Sequence, residues 1–374
     1  YSSAASDVYK RQICVNSFVG IENPVELHEA LYRRYQKMQS PTHLTIVSSA
    51  GFGVWDTEHN AEGYIRDGAV DKLICGHFGA MMSTKKLVLE DRFEAYNLPL
   101  GCISHAIRAQ AGGLSGALLK VGLDIFVDPR LEGPGINRVS IDDSLVKHVE
   151  VDGEEFLYYK LPKITIALIK GTAADHKGNI TFDDMFMSGD ALSICQAVKA
   201  NRGKVIVQVD RLVDTPSRPR NAIIPGCLVD AIVVAEPQER NEAYTALTGS
   251  FEIPYEEWHT WSEKIDQASE KMLKDNTIGK IIGRRAAKEL RVDDIVNIGI
   301  GIPEMVSRYA RKSGMLDMVT LTVESGGIGG FPVSGEAFGA MIGAASVYDM
   351  ANQFDLYDNC LLYTSPSPRD GLLS

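Results

Sequence analysis

The chain contains part of itself twice. Val15-Asn16-Ser17-Phe18-Val19-Gly20-Ile21 matches Val296-Asn297-Ile298-Gly299-Ile300-Gly301-Ile302. A proline follows each copy, Pro24 and Pro303, and proline suits a first helical turn. Farther on, Val47-Ser48-Ser49-Ala50-Gly51-Phe52-Gly53 lines up with Val323-Glu324-Ser325-Gly326-Gly327-Ile328-Gly329. Two blocks that agree in order and approximate spacing read as a duplication rather than a chance match. Each half is therefore expected to begin strand, glycine turn, helix, strand, glycine turn. Two similar α/β units in one chain are expected to pair with a site between them. Only the second copy has an acid at the key position, where Glu324 replaces Ser48.

That acid sits in a telling context. Met318 to Val323 is a run of β-formers leading into Glu324, and four glycines follow within six residues. Strand, single carboxylate, then bare backbone presents a nucleophile or base to a bulky ligand. Glycines also let backbone N–H groups approach an anion. A purely structural acid before a glycine turn fits the same letters, so the loop alone leaves both readings open. Gly299-Ile300-Gly301 reads as a tight turn with N–H groups facing a ligand, or as a turn needed only for packing. It is not a dinucleotide fingerprint, because the third glycine position holds Glu304.

Elsewhere the pattern is α/β. Glu26 to Gln39 carries Leu27, Ala30, Leu31 and Tyr35 on one helical face. Thr165 to Asp175, Lys204 to Val209 and Ala231 to Ala235 are near-continuous apolar runs, which suit parallel strands covered on both faces. Lys177-Gly178-Asn179 reads as a turn into Ile180-Thr181-Phe182. A helix over Ile281 to Leu290 is expected before the Val296 strand. Its Arg284-Arg285 pair reads as a phosphate contact or a solvated helix face. His77, between two glycines, reads as a cleft residue or a packed one.

The ends look foreign. Ser2 to Gln12 and Cys360 to Asp370 resemble in-frame translations of a sequencing adapter, so residues 1–12 and 360–374 are set aside. The remaining plan is a first α/β domain over 13–240, a connector over 241–277 and a second, truncated domain over 278–359. The 38 Lys and Arg against 49 Asp and Glu give a net charge of −11. An acidic chain without a basic block argues against nucleic acid as a partner. No apolar run approaches roughly 18 residues, so no membrane span is expected. The histidines show no HExxH or HxH spacing and no cluster with cysteine, which argues against a catalytic metal. Cys14, Cys75, Cys102, Cys195 and Cys227 read as buried free thiols of a cytosolic protein.

Together these blocks resemble family I coenzyme A transferases, the group that includes 3-oxoacid, acetate and propionate CoA-transferases. The resemblance runs from Ile13 to Asp358. It is carried by VNIGIGIP (Val296 to Pro303), TVESGGIGG (Thr322 to Gly330), GTAADHKGNITF (Gly171 to Phe182), FVDPR (Phe126 to Arg130) and QFDLYD (Gln353 to Asp358). The pattern is most similar to the fused single-chain members acting on short-chain acids. The resemblance implies two open-sheet α/β domains with the active site between them. It implies Glu324 as a nucleophile that attacks acyl-CoA and passes through an acyl-glutamyl anhydride to a glutamyl-CoA thioester. It implies oxyanion or substrate contacts at Ser48, Ser49, Ala50, Gly299, Gly301, Gly326 and Gly327. Serines stand here where some relatives have asparagine. It implies acyl-CoA and short-chain carboxylic acids as substrates, coenzyme A as a substrate rather than a bound cofactor, no metal, a homo-oligomer, and a cytoplasmic or mitochondrial-matrix location. Water in place of the second acid would give an acyl-CoA hydrolase on the same scaffold. A non-catalytic unit would bind a CoA ester or sugar phosphate. The family's glycine-rich segment after QFDLYD has no counterpart before the foreign tail. The chain as it stands is therefore expected to be inactive.

Overall fold

Apolar runs alternating with helix-period stretches build a parallel sheet from the first part of the chain. The computed structural model describes residues 11–53, 62–215, 217–235, 277–333 and 337–361. Most of the expected connector and most of both foreign-looking ends lie outside the described residues. The chain divides into two compact units, Tyr1–Asn241 and Glu242–Ser374.

In the first unit the strands are β1 (Gln12–Val15), β2 (Leu44–Ser48), β3 (Val70–Cys75), β4 (Glu94–Asn97), β5 (Ala117–Leu119), β6 (Val146–Val151), β7 (Glu154–Tyr159), β8 (Ile166–Asp175), β9 (Ile180–Thr181), β10 (Lys204–Val213), β11 (Ala222–Ile224) and β12 (Ala231–Val234). The helices are α1 (Val25–Met38), α2 (Glu62–Arg66), α3 (Met82–Leu89), α4 (Leu100–Ala111) and α5 (Ala191–Ala200). Strands β12-β10-β8-β1-β2-β3-β4 lie side by side and all parallel. β9 and β11 extend the end of β8 as an antiparallel lip. Gln12, within the stretch set aside as foreign, opens β1 opposite Thr45.

Period-two alternation splits the strand residues between two cores. Cys14, Val47, Ile74 and Tyr96 pack on one face with Cys102, Ile103, Ala106 and Ile107 of α4 and Ile194 and Val198 of α5. Ile13, Ile46, Leu73 and Ala95 pack on the other with Leu27 and Tyr35 of α1, Tyr64 and Ile65 of α2 and Val88 of α3. Helices thus cover both faces, as an all-parallel sheet requires. A separate antiparallel sheet, β5-β7-β6, packs Val146, Leu157 and Tyr159 into the first core. Its hairpin turns at Asp152 and Gly153, both at positive φ, the geometry that matches strand twist.

The second unit holds α6 (Thr277–Ala286), β13 (Ile295–Asn297), α7 (Glu304–Lys312), β14 (Thr320–Thr322), β15 (Gly327–Ile328), β16 (Phe331–Pro332), β17 (Met341–Ile342), β18 (Ser346–Val347) and α8 (Met350–Asp355). β13 and β14 are parallel, while β15 and β18 add antiparallel strands in the order β13-β14-β15-β18. β16 and β17 form a separate pair.

The duplication appears as the same local plan, two neighbouring parallel strands separated in sequence by a helix. Its register differs between the copies. Cys14 pairs with Val47, but its counterpart Ile295 pairs with Thr320, three residues short of the counterpart of Val47. Similar letters set the elements, and side-chain packing sets the slip between them.

Of the five cysteines read as buried, Cys14, Cys75, Cys102 and Cys195 are buried, but Cys227 is exposed. It lies in a short 3-10 turn, Gly226–Leu228, outside the sheet. Arg284 and Arg285 lie on the exposed face of α6, and Arg285 pairs with Glu289 one turn on. No helix among the described residues is long and apolar enough to cross a membrane.

Candidate active site

β14 ends at Thr322, and the chain then turns back between Val323 and Gly327. The Val323 N–H donates to the Gly327 carbonyl at 3.0 Å, and the Gly326 N–H donates to the Val323 carbonyl at 3.2 Å. Gly326 sits at φ +124°, where a Cβ would stand 2.0 Å from the Tyr348 carbonyl oxygen. Only glycine tolerates both conditions. Gly327 opens β15 opposite Val347. Val323 and Ser325 are fully buried on either side of Glu324, and the Ser325 hydroxyl donates to the Gly339 carbonyl. Glu324 itself is half-buried.

The loop therefore anchors both neighbours and presents the carboxylate between them. Burial raises the Glu324 pKa above the ordinary glutamate value, and a donor on Asn297 opposes that rise. Asn297 ends β13, with Nδ2 3.5 Å from Glu324 Oε1. The buried Tyr357 hydroxyl stands 3.0 Å from Asn297 Oδ1 and 2.8 Å from Thr322 Oγ1. Neither Asn297 nor Tyr357 is singled out by sequence reasoning. A signal existed, since Asn297 lies in the VNIGIGIP block and Tyr357 in QFDLYD.

Gly299 and Gly301 form the turn after β13. Gly301 sits at φ +90°, and its N–H donates to Glu304 Oε1 at 2.8 Å. That bond ties the turn to the first residue of α7. A Cβ on Gly299 would meet nothing nearer than Pro303 Cγ at 3.9 Å. Gly299 therefore fills an open turn rather than a tight contact.

Ser48, Ser49 and Ala50 belong to the first unit, where β2 runs out into its glycine turn. Ser48 is buried, and its hydroxyl has no hydrogen-bond partner among the described residues. The Ser49 hydroxyl donates to Asp190 Oδ2 at 2.5 Å, and Ser104 Oγ donates to the same oxygen at 2.7 Å. Asp190 N–H donates to Asn16 Oδ1 at 2.9 Å. Ala50 bridges to Phe18, and Ser17 Oγ donates to the Gly51 carbonyl at 2.6 Å. The loop is held from beneath by buried polar groups, so its backbone is fixed while the Ser49 hydroxyl is already engaged. His77 is half-buried, and burial lowers its pKa. The packed reading of this residue fits that environment better than the cleft reading.

Comparison with known proteins adds the following. A family model described as coenzyme A transferase matches residues 3–235. The acetate CoA-transferase YdiF of Escherichia coli strain K12 is 36% identical over 339 residues, covering 90% of this chain and 62% of that protein. The caffeate CoA-transferase of Acetobacterium woodii is 35% identical over 336 residues, with the same two coverages. A crystal structure of the acyl-CoA transferase YdiF from E. coli O157:H7, a thioester complex with CoA, superposes with a TM-score of 0.79 at 32% identity. That match covers 95% of this chain and 69% of the solved one. The chain thus spans 62% of the length of these curated relatives.

Proposed function

This chain belongs to the coenzyme A transferase family, and from that premise we propose that the protein moves CoA between short-chain carboxylic acids through Glu324. The observation that carries the reading is the Glu324 loop. A half-buried carboxylate ends a strand on a glycine turn, faced by a neutral amide donor rather than a cation. Such a carboxylate is poorly solvated and, among the described residues, free of a salt bridge that would quench it, so it attacks a thioester held against it.

The steps balance without a redox partner. The Glu324 carboxylate adds to the acyl-CoA carbonyl, and the C–S bond breaks to give an acyl-glutamyl anhydride and CoA thiolate. The thiolate adds to the glutamyl carbonyl, the anhydride C–O bond breaks, and the donor acid leaves as its carboxylate. A glutamyl-CoA thioester remains. A second carboxylate runs the two steps in reverse, which is ping-pong transfer. Each tetrahedral oxyanion needs N–H donors. The family resemblance assigns one of these donors to the Ser48-Ser49-Ala50 loop. Gly301 and Gly326 spend their N–H groups locally and are assigned to shaping the turns. Coenzyme A is substrate here. A cytoplasmic homo-oligomer is the assembly we assign.

The acid is a separate question. Relatives named for acetate and for caffeate are about equally similar to this chain. Small and large acids are therefore both compatible with the scaffold, and pocket details decide between them. The test uses the complete gene product. It is incubated with acetyl-CoA and no acceptor, and the intact mass and the Glu324 peptide are then read. A CoA-sized adduct on that peptide, discharged by propionate and missing from Glu324→Gln, is expected. Steady release of CoA and acetate without acceptor would replace transfer by hydrolysis. Absence of both adduct and release would remove Glu324 as the nucleophile.

A further inference from the structure

An asparagine amide looks nearly the same from either end, so its neighbours decide which end faces which way. Asn297 stands between Tyr357 and Glu324. The Tyr357 hydroxyl has one proton and two oxygen neighbours, Asn297 Oδ1 at 3.0 Å and Thr322 Oγ1 at 2.8 Å, and the Gln353 side chain bonds to it as well. The amide oxygen can only accept, whereas the threonine hydroxyl can also donate. Two arrangements satisfy all three groups, and only the first sets a donor against the carboxylate. Thr322 donates to the tyrosine oxygen, and Tyr357 donates to Asn297 Oδ1. The amide NH2 is then left facing Glu324 Oε1. The flipped amide would aim its oxygen at the carboxylate and its NH2 at Tyr357.

We propose that Tyr357 is a positioning residue, which locks the Asn297 amide so that its NH2 holds one oxygen of Glu324 and leaves the other free to attack. This rests on Glu324 being the reactive carboxylate. Tyr357 and Thr322 are buried, so the lock itself is built into the interior. Asn297 is exposed, so the bond to Glu324 forms where the sheet meets solvent. The relay thus carries order from the core to the half-buried acid.

Tyr357 is also the titratable group that feels the charge of Glu324. Burial pushes it to about 12, so it stays a neutral phenol while the carboxylate ionises. Asp358 is pushed up to about 6 by burial and by Asp355. An Asp358→Asn background removes this second raised carboxyl.

The test follows the ionisation of Glu324 directly, by the carboxyl carbon signal of labelled glutamate, assigned by its loss in Glu324→Gln. Tyr357→Phe is expected to raise the Glu324 midpoint by about half a pH unit, because the donor that favours the charged form turns away. Asn297→Ala is expected to do the same. It changes a surface side chain, so this arm does not depend on how the core tolerates Tyr357→Phe. The double variant is expected to shift no further than either single one, the signature of a shared path. A midpoint unmoved by Asn297→Ala, or shifts that add in the double variant, would overturn the relay. The adduct assay separates the two ideas. Adduct with unmoved midpoints rejects the relay alone, while moved midpoints without adduct reject only the nucleophile.

Discussion

At the end of β8 one carboxylate gathers a turn around itself. Asp175 accepts from the backbone of Lys177 at 2.9 Å, and at 3.0 Å from the Asn179 backbone, the Asn179 side chain and the Ser217 backbone. Burial alone would raise its pKa, but these donors outweigh burial and hold it well below the ordinary aspartate value. A carboxylate depressed in the folded state stabilises the fold fully above its unfolded pKa of about 3.9. That stability is lost as pH falls toward the folded value. Asp175→Asn is expected to cost about 2 kcal/mol near neutral pH, since a neutral acceptor replaces a charged one and one oxygen is exchanged for a donor. Urea unfolding would show a gap between parent and variant that is flat from neutral pH to about pH 5 and narrows below about pH 4. A gap of unchanged size at pH 3 would show that the charge of Asp175 is not what the turn relies on.

At the scale of elements, the loop after β14 makes the sharpest claim. Gly326→Ala puts a methyl group 2.0 Å from a backbone carbonyl at a φ of +124°. Neither the Tyr348 backbone nor the turn yields cheaply, because Tyr348 N–H is itself bonded to the Gly326 carbonyl. The substitution is expected to cost about 3 kcal/mol and to abolish the Glu324 adduct. Gly301→Ala, at a turn with open space, is expected to cost about 1 kcal/mol and to retain the adduct. Equal loss in both variants would mean that the turns share one role. This loop was legible in sequence because strand, acid and glycine follow one another locally. The parallel strands were legible for the same reason, as unbroken apolar runs. α4 was not read, since its buried face mixes Gly101, Cys102, Ser104 and Gln110 with two isoleucines, a weak hydropathy signal. Of the β5-β7-β6 sheet only the Tyr158-Tyr159 segment before Pro162 reads as extended, because β5 and β6 show no clean alternation. Asn297 and Tyr357 lie 60 residues apart, and their contact is tertiary. The blocks that hold them were visible, but no local pattern shows that they meet.

At the scale of the whole molecule, the two units differ in how much of their own core they complete. The first buries both faces of its parallel sheet within residues 11–235, with cores that draw on α1 to α5. Among the described residues, the second leaves Ile278, Ile281 and Ile282 of α6 and Ile295 of β13 exposed, and β13 is an edge strand. An open apolar edge is a template for association. Expressed alone, residues 11–235 are therefore expected to unfold in urea in one cooperative transition, with matching midpoints by far-UV circular dichroism and intrinsic fluorescence. A fragment over 277–361 is expected to unfold without a sharp midpoint and to bind a hydrophobic dye. The decisive comparison is cooperativity, because both fragments can hold secondary structure while only a completed core gives a single transition. A sharp transition in the second fragment and a broad one in the first would reverse the assignment of the stable unit.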